Sequence, residues 1–253
     1  MNIYSYSKLN TFKNCPYQYK LRYIDLIKVE KETIERFLGS TIHLTLEYLY
    51  KDIKEGKRRD VESVVNLYHW LWDKNFNDKI FIVKKDYNFN HYREIGEKCI
   101  KRYYSKHFPF NKNKIIGLEE KIYIKVDSSN KYLLSGVVDR IDETPEGNIE
   151  IHDYKTGMRL PTQKEIEEEE QLSLYHIGVR DALGYSNKRI TLVWHYLMFG
   201  QEFILHKSDE ELNETKNKIV KIIEEIENTK EFIAIKGPLC NYCEYYGEIC
   251  KGG

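Results

Sequence analysis

The sequence predicts an α/β fold in which a mixed sheet is flanked by helices. Helical periodicity dominates roughly the first hundred residues, where Leu38, Ile42, Leu46 and Leu49 form one apolar stripe. Strand-like patterns begin near residue 115, and strands and helices then alternate almost to the C-terminus. Apolar residues make up 41% of the 253 positions, which is enough for a sizeable core. This order of elements alone leaves an α+β arrangement open.

Element boundaries follow from periodicity and from capping signals. Helices are predicted at residues 35–54, 61–76, 91–107, 165–183 and 209–228, and Ser7 is expected to cap another near the N-terminus. Strands are predicted at residues 115–126, 132–141, 149–155, 190–199 and 202–206. Ser208 and Glu211 have the spacing of a capping box at the start of the last helix. Residues 55–113 are interpreted as a helical lobe inserted in one domain covering residues 1–253.

Composition and charge restrict the classes of function. The chain carries 40 basic and 40 acidic side chains, so any nucleic-acid surface must come from local segregation of charge, which counts mildly against DNA binding. There is no signal-peptide pattern and no apolar run of about 18 residues, so we expect a cytoplasmic protein without a membrane partner. Five cysteines in a reducing compartment favour metal ligation or burial over disulfides.

Two acids and a lysine form the most informative pattern. Asp153 and Lys155 are two residues apart on a predicted strand, so their side chains point the same way. A hairpin through residues 145–148 would bring Asp139, near the end of the preceding strand, beside Asp153. Paired carboxylates suit Mg²⁺ or Mn²⁺, and a nearby lysine can orient water or stabilise charge on phosphorus. Such a D-x-K pattern is also common as a solvated ion pair, although the apolar residues before both acids argue against that here.

Two pairs spaced four residues apart lie on predicted helices. Gly39 and His43 share one helix face, where the glycine allows a close neighbour and the imidazole can reach a metal, although a lone histidine is most often structural. Gln171 and Tyr175 share a face of the helix after the acid–lysine strand. Without other evidence they would be a solvated glutamine and a packed tyrosine. The acidic run at residues 167–170 is interpreted as a solvated helix face.

Four cysteines near the chain ends suggest a second metal site. Cys240, Cys243 and Cys250 fall within eleven residues, and Cys15 precedes a proline near the N-terminus. Thiolates bind zinc or iron–sulfur clusters, and zinc is the default for this spacing. The irregular segment of residues 237–253 is expected to dock mainly through such a centre. Cys99, within the helical lobe, is predicted to be a buried thiol.

These motifs, taken in order, resemble those of one nuclease family. Gly-Val-Val-Asp139-Arg-Ile and Ile-His-Asp153-Tyr-Lys155-Thr-Gly look like the core of RecB-type PD-(D/E)xK nucleases. The resemblance implies a restriction-endonuclease-like sheet and a catalytic Lys155. It also implies that Mg²⁺ or Mn²⁺ is bound by His43, Asp139, Asp153 and the main-chain carbonyl of Tyr154. By the same resemblance Gln171 and Tyr175 contact DNA, and either Glu119 or Glu120 matches a further family acid.

The opening of the chain adds a narrower resemblance. Residues 5–19, which contain Cys15, are similar to the start of AddB-type and CRISPR-associated RecB-like exonucleases. In that branch one N-terminal and three C-terminal cysteines bind a [4Fe–4S] cluster that holds the chain ends together. The resemblance therefore implies a cluster bound by Cys15, Cys240, Cys243 and Cys250, in place of zinc.

The function implied is that of a metal-dependent DNA exonuclease acting on single-stranded ends. DNA repair, recombination and CRISPR spacer acquisition are all compatible with it, with a helicase or a CRISPR-adaptation protein as partner. The alternative is a catalytically silent nuclease fold that binds DNA ends or serves as a scaffold in a helicase–nuclease complex. RNA as the substrate also stays open. The intact set of Asp139, Asp153 and Lys155 argues for activity.

Overall fold

The computed structural model describes residues 2–127 and 129–252; Met1, Ser128 and Gly253, including both ends of the predicted domain, lie outside this description. The N-terminal half is mainly helical, and most strands follow residue 113. In chain order the strands and helices are β1 (Asn2–Ser5), α1 (Tyr6–Asn14), α2 (Pro16–Tyr19), β2 (Glu32–Thr33), α3 (Ile34–Lys54), α4 (Val61–Asn75), β3 (Ile80–Phe81), α5 (Phe89–His107), β4 (Lys114–Lys125), β5 (Tyr132–Glu143), β6 (Ile149–Lys155), α6 (Gln163–Glu167), α7 (Gln171–Ala182), β7 (Ile190–Tyr196), β8 (Gln201–Leu205) and α8 (Asp209–Asn228).

Six strands form a mixed sheet that branches at β5. Along one edge β5 pairs antiparallel with β4. Along the other edge its first residues pair parallel with β1, and its last residues, from Arg140, pair antiparallel with β6. Strand β7 then lies parallel to β6 and antiparallel to β8. The two neighbours of β5 thus leave a gap in pairing between Ser135 and Arg140.

Helices cover both faces of this sheet, as predicted for an α/β fold. On one face α1, α7 and α8 pack on the sheet through a core that includes Leu9, Leu172 and Ile219. On the other face α4 and α5, the helices within the predicted lobe, pack with α3 against the sheet through a core that includes Ile115 and Tyr154. Among the described helices, none combines the length and the apolar run that crossing a bilayer demands.

Two local predictions are wrong, and both errors concern side chains that bind backbone amides. The expected single helix at residues 165–183 is broken, because the Glu169 carboxylate accepts a hydrogen bond from the Leu172 amide at 2.7 Å and begins α7 anew. The first helix is capped by Ser5, whose hydroxyl accepts from the Lys8 amide at 3.2 Å. Ser7 lies inside that helix, because the preceding residues form β1, an unpredicted strand.

A buried arginine joins the helical lobe to the sheet. Arg140 on β5 is 3% exposed, and its guanidinium donates to the hydroxyls of Tyr103 at 2.7 Å and Tyr154 at 2.8 Å. It also lies 4.1 Å from the centre of the Tyr50 ring and 3.2 Å from a carboxylate oxygen of Asp142. Because these partners come from α3, α5, β5 and β6, the arginine fixes the lobe against the centre of the sheet.

We expect Arg140→Ala to lower the free energy of unfolding by about 3–5 kcal/mol, because it leaves the Asp142 carboxylate buried without its cation. Arg36→Ala is the matched control, since the Arg36 side chain is 71% exposed beside Glu32 and should contribute less than about 1 kcal/mol. Urea denaturation followed by circular dichroism measures both. Equal destabilisation by the two substitutions would contradict the anchoring role of Arg140.

Candidate functional site

The branch in the sheet brings two acids together. The last paired residues of β5 and β6 are Arg140 and His152, and continuing the register by one step places Asp139 opposite Asp153. Beyond this point the strands separate, and the Tyr154 amide donates to a carboxylate oxygen of Asp139 at 2.8 Å. The predicted hairpin therefore does set Asp139 beside Asp153, at the position where the ladder between their strands ends.

His43 approaches the same point from α3. Its Nε2 lies 2.8 Å from the main-chain carbonyl oxygen of Tyr154, and its Nδ1 lies 3.5 Å from Asp139. One turn earlier, a Cβ at Gly39 would lie 2.9 Å from the Thr156 hydroxyl oxygen, so the glycine permits the close approach of α3 to the end of β6. The imidazole of His43 and the carbonyl of Tyr154, which the family resemblance implies as metal ligands, therefore lie next to each other.

A third acid, Glu119, completes the group. Ligand atoms of His43, Glu119 and Asp139 all lie within 4.8 Å of one another. The register places Glu119 opposite Asp139, whereas Glu120 pairs with Val138. The backbone of Glu119 is left-handed, with φ of 46°, a conformation that is costly for glutamate and must be held by its surroundings. The structure therefore places Glu119, rather than Glu120, beside His43 and Asp139.

Crowding of these carboxylates alters their protonation. Burial and the neighbouring charge of Asp139 raise the pKa of Glu119 to about 7. Burial also raises the pKa of Asp153, partly opposed by the charge of Lys155. For His43, burial lowers the pKa, but the hydrogen bond and charge of Asp139 outweigh it and raise the value to about 9. Burial and mutual repulsion therefore make it costly for all of these carboxylates to be charged at once, and the protonated His43 offsets part of that charge.

Lys155 begins a chain of polar contacts that leads away from the acids. Its ammonium lies 2.7 Å from Asp153 and donates to the side-chain oxygen of Gln171 at 2.8 Å. The Gln171 amide donates in turn to the Tyr175 hydroxyl at 2.9 Å. Tyr175 lies directly over Gly136, where a Cβ would come within 2.9 Å of its ring. The lysine, glutamine and tyrosine thus form one connected line beside the acids.

Glu169 is a further site residue, and the interpretation of residues 167–170 as a solvated face is wrong for it. Glu169 is 9% exposed, while its neighbours Glu167 and Glu168 are exposed. Burial raises its pKa to about 7, and the charge of Lys155 lowers it. Sequence reasoning missed this residue because one acid within a run of four has no local signal that distinguishes it.

The four predicted cysteines come together at the junction of the chain ends. Cys15, Cys240, Cys243 and Cys250 line one cavity of about 180 Å³. Burial raises the pKa of the Cys243 thiol, and the nearby sulfurs of Cys15 and Cys250 contribute. Main-chain amides of Gln18, Gly237 and Gly252 donate to three of the sulfurs at 3.4–3.5 Å. Cys99 lies in α5, distant in sequence from these four cysteines, and is buried as predicted.

The expectation that the C-terminal segment docks mainly through a metal centre is wrong. Tyr245 is 1% exposed and donates to the Ile27 carbonyl at 2.8 Å. Glu244 accepts hydrogen bonds from Arg22, at 2.9 Å to the guanidinium Nε, and from Gln18 at 3.0 Å. These contacts fasten the segment to the N-terminal residues independently of the sulfur atoms.

Two comparisons with known proteins give partial matches. One subunit of the ATP-dependent helicase/deoxyribonuclease of Carboxydothermus hydrogenoformans is 25% identical over 175 residues, which are 60% of this chain and 16% of that protein. The chain thus spans about a sixth of the length of this curated relative. A solved structure from Eubacterium rectale, provisionally described as an exonuclease, covers 89% of this chain and 86% of its own at 12% identity and a TM-score of 0.47.

The family comparison covers nearly the whole chain. The model of the PD-(D/E)XK nuclease superfamily matches residues 3–251, a range that includes both acids, the lysine and all four terminal cysteines. The match extends through the helical lobe, so the lobe and the sheet are covered together. On this evidence the chain belongs to the PD-(D/E)XK nuclease superfamily.

Proposed function

We propose that the chain is a metal-dependent DNA nuclease that hydrolyses phosphodiester bonds and acts as an exonuclease on single-stranded ends. The observation that carries the proposal is the meeting of Asp139, Asp153, Glu119 and His43 beside Lys155 where β5 and β6 separate. Superfamily membership supports the nuclease chemistry. The curated relative is named as a deoxyribonuclease, which supports DNA as the substrate.

The donor set fits Mg²⁺ or Mn²⁺. We assign as ligands His43, Asp139, Asp153 and the main-chain carbonyl of Tyr154, with Glu119 as an additional acid. Carboxylate and carbonyl oxygens are the donors that these ions prefer, and Mn²⁺ also accepts an imidazole. The protonated His43 must lose its proton to bind, because only the neutral imidazole has a free lone pair. When bound, the ion polarises a phosphate oxygen and makes water more acidic.

The chain's own residues supply position and charge. Lys155, held by Asp153 and Gln171, presents its ammonium at the edge of the acid group, where it can stabilise the negative charge that develops on phosphorus. Gln171 keeps the lysine in one orientation and is itself held by the Tyr175 hydroxyl. The Tyr154 main-chain amide donates a hydrogen bond to Asp139. This contact orients both the carboxylate of Asp139 and the main-chain carbonyl of Tyr154.

A cavity next to this line of residues fits a nucleic-acid strand. It has a volume of about 470 Å³, opens to solvent, and is lined by side chains that include Lys121, Gln171 and Tyr175, together with Ser5 and Asn10. Hydroxyls, amides and one ammonium are suited to contact phosphate and sugar, and a tyrosine can stack on a base. Such a local surface is compatible with the zero net charge of the chain.

A CRISPR-adaptation partner is proposed from the resemblance of residues 5–19, and a helicase partner is proposed from the curated relative. It is named as a subunit of a helicase/deoxyribonuclease, and the present chain corresponds to a small part of its length. We therefore propose that this nuclease works with a helicase, which would supply single-stranded DNA ends, or with a protein of CRISPR adaptation. Roles in repair, recombination or spacer acquisition follow from those partners.

A four-cysteine iron–sulfur centre is the second part of the proposal. A single zinc with four thiolates at about 2.3 Å needs sulfur–sulfur distances of about 3.8 Å. We favour a [4Fe–4S] cluster over such a zinc site because residues 5–19 resemble the opening of the RecB-like exonucleases whose four cysteines hold one. Amide donors around the sulfurs suit a centre of anionic thiolates.

Substitution of Asp153 tests the catalytic assignment. Asp153→Asn should lower Mg²⁺- or Mn²⁺-dependent cleavage of end-labelled single-stranded DNA at least about a hundredfold, because the amide has no negative charge for the ion. DNA binding should persist, since phosphate contacts dominate affinity. Cleavage at the wild-type rate would overturn the site. Binding without cleavage in the wild type would identify a catalytically silent DNA-binding subunit.

Neighbouring glutamates allow a matched test of the third acid. Glu119→Gln should weaken Mn²⁺ binding about ten- to a hundredfold, the loss typical of groups that support a metal site. Glu120→Gln should retain wild-type affinity, because Glu120 pairs with Val138 and lies outside the acid group. Titration of Mn²⁺ by electron paramagnetic resonance measures both. If Glu120→Gln weakened binding more than Glu119→Gln, the register argument would be wrong.

Cysteine variants test the cluster. Anaerobically purified wild type should contain about four irons per chain, and Cys15→Ala should lose most of them. Cys99→Ala is the control and should keep its iron, because Cys99 lies in α5 against Met198. Since the C-terminal segment also docks through Tyr245 and Glu244, we expect Cys15→Ala to remain folded. Stoichiometric zinc without iron in the wild type would refute the cluster.

A further inference from the structure

A second group of metal-ligating side chains lies on the lobe-facing side of the sheet. His195 on β7 and Glu202 on β8 are direct cross-strand neighbours, and His107 is the last residue of α5. One oxygen of Glu202 lies 3.0 Å from Nε2 of His107 and 3.2 Å from Nδ1 of His195. The three ligand atoms lie within 4.8 Å of one another, and none belongs to the nuclease site.

The orientation of these atoms is unusual for a hydrogen-bonded group. By strict geometry none of the three is aligned for a hydrogen bond with a residue that the structure describes, although the two imidazoles act on Glu202 strongly enough to hold the pKa of its carboxyl well below the usual range. His195 is 2% exposed, and a buried ring nitrogen without an aligned hydrogen bond lowers the stability of the folded protein. A tetrahedral zinc with ligands at about 2.0–2.2 Å has ligand–ligand distances of about 3.4 Å. The observed separations of 3.0 and 3.2 Å are close to that spacing.

Hydrogen bonding behind His195 also favours a cation at its Nδ1. The opposite nitrogen, Nε2, lies 2.9 Å from Nδ1 of His152. The remaining nitrogen of His152 lies 3.3 Å from Asp142 and 3.5 Å from Glu150. If a metal occupies Nδ1 of His195, its Nε2–H donates to His152, and the His152 hydrogen then points at the two carboxylates. This is the arrangement by which outer carboxylates orient metal-bound histidines.

The opposite tautomers are unfavourable. If His195 donated from Nδ1 to Glu202, its Nε2 would have to accept from His152. Neutral His152 would then direct a lone pair at the carboxylates of Asp142 and Glu150. His152 is 4% exposed and Arg140 is nearby, so a second proton on it is also disfavoured. A metal ion resolves this conflict without placing an additional charge on His152.

We propose that His107, His195 and Glu202 bind one divalent transition-metal ion of the zinc class. Imidazole nitrogens select such ions over Mg²⁺ and Ca²⁺. The group borders a cavity of about 100 Å³, so water can supply the fourth ligand. The ion would tie the end of α5 to the β7–β8 pair and stabilise the lobe beside the strand of Asp153 and Lys155. This proposal does not depend on the nuclease activity.

Lys106 competes with the proposed ion. Its ammonium lies 3.2 Å from the same oxygen of Glu202, and its side chain is 41% exposed. The ammonium has to move into solvent when the ion binds, which an exposed lysine can do at little cost. Lys106→Ala should therefore strengthen zinc binding severalfold, whereas a simple network of ion pairs would only be weakened by this substitution.

Zinc titration of the full chain tests the proposal. Anaerobically purified protein in excess Mg²⁺ is titrated with Zn²⁺ against a chromophoric chelator, in wild type, Glu202→Gln and His107→Gln. These residues lie on different elements and are partly exposed, so two independent variants guard against misfolding. His69→Gln is the matched control, because His69 forms a comparable pair with Glu97 at 2.9 Å but has no third ligand among the described residues.

Wild type and His69→Gln should each bind one more equivalent of zinc than the two ligand variants. Glu202→Gln and His107→Gln should either lose this zinc or bind it at least about a hundredfold more weakly. Zinc should also raise the thermal unfolding midpoint of wild type by more than it raises that of Glu202→Gln. Any zinc bound by the cysteines or by the carboxylate site is the same in all four proteins, so it does not alter the difference in bound zinc between them. The same number and affinity of zinc ions in all four would overturn the proposal and leave an ion-pair network.

Discussion

The buried guanidinium of Arg140 is the contact on which the remaining architecture depends. It lies between the sheet and the helical lobe, bonded to tyrosines from α5 and β6 and stacked on Tyr50 from α3. Because side chains alternate along a strand, the residue before it, Asp139, faces the opposite way and enters the acid group. One dipeptide of β5 therefore both anchors the lobe and supplies an acid, so that α3 and its His43 are held in reach of the metal site.

Charge balance is the second constraint on the site. Three carboxylates converge where β5 and β6 separate, and without compensation they would repel one another. His43 and Lys155 supply positive charge from two sides, while the Tyr154 amide binds Asp139. The strained backbone of Glu119 indicates that its carboxylate is held in place by the fold. These contacts allow the three carboxylates to stay close together in the folded protein.

Long-range contacts explain where prediction from the sequence failed. The helix around residue 168 breaks because the Glu169 carboxylate is buried beside Lys155 and caps α7, and nothing within the acidic run distinguishes Glu169 from its neighbours. Ser5 replaces Ser7 as the cap because β1 joins the sheet beside β5. The C-terminal segment docks through Tyr245 and Glu244 to residues more than two hundred positions away.

Local spacing in the sequence was sufficient to predict the α/β class, the strand carrying Asp153 and Lys155, and the shared helix faces of Gly39 with His43 and Gln171 with Tyr175. These relations depend on the two-residue period of strands and on the helical turn, which any short segment carries with it. Only the tertiary structure could choose Glu119 over Glu120 or bring His107, His195 and Glu202 together. Strand register and the docking of the helices on the sheet decide those positions, and they depend on contacts between residues far apart in the chain.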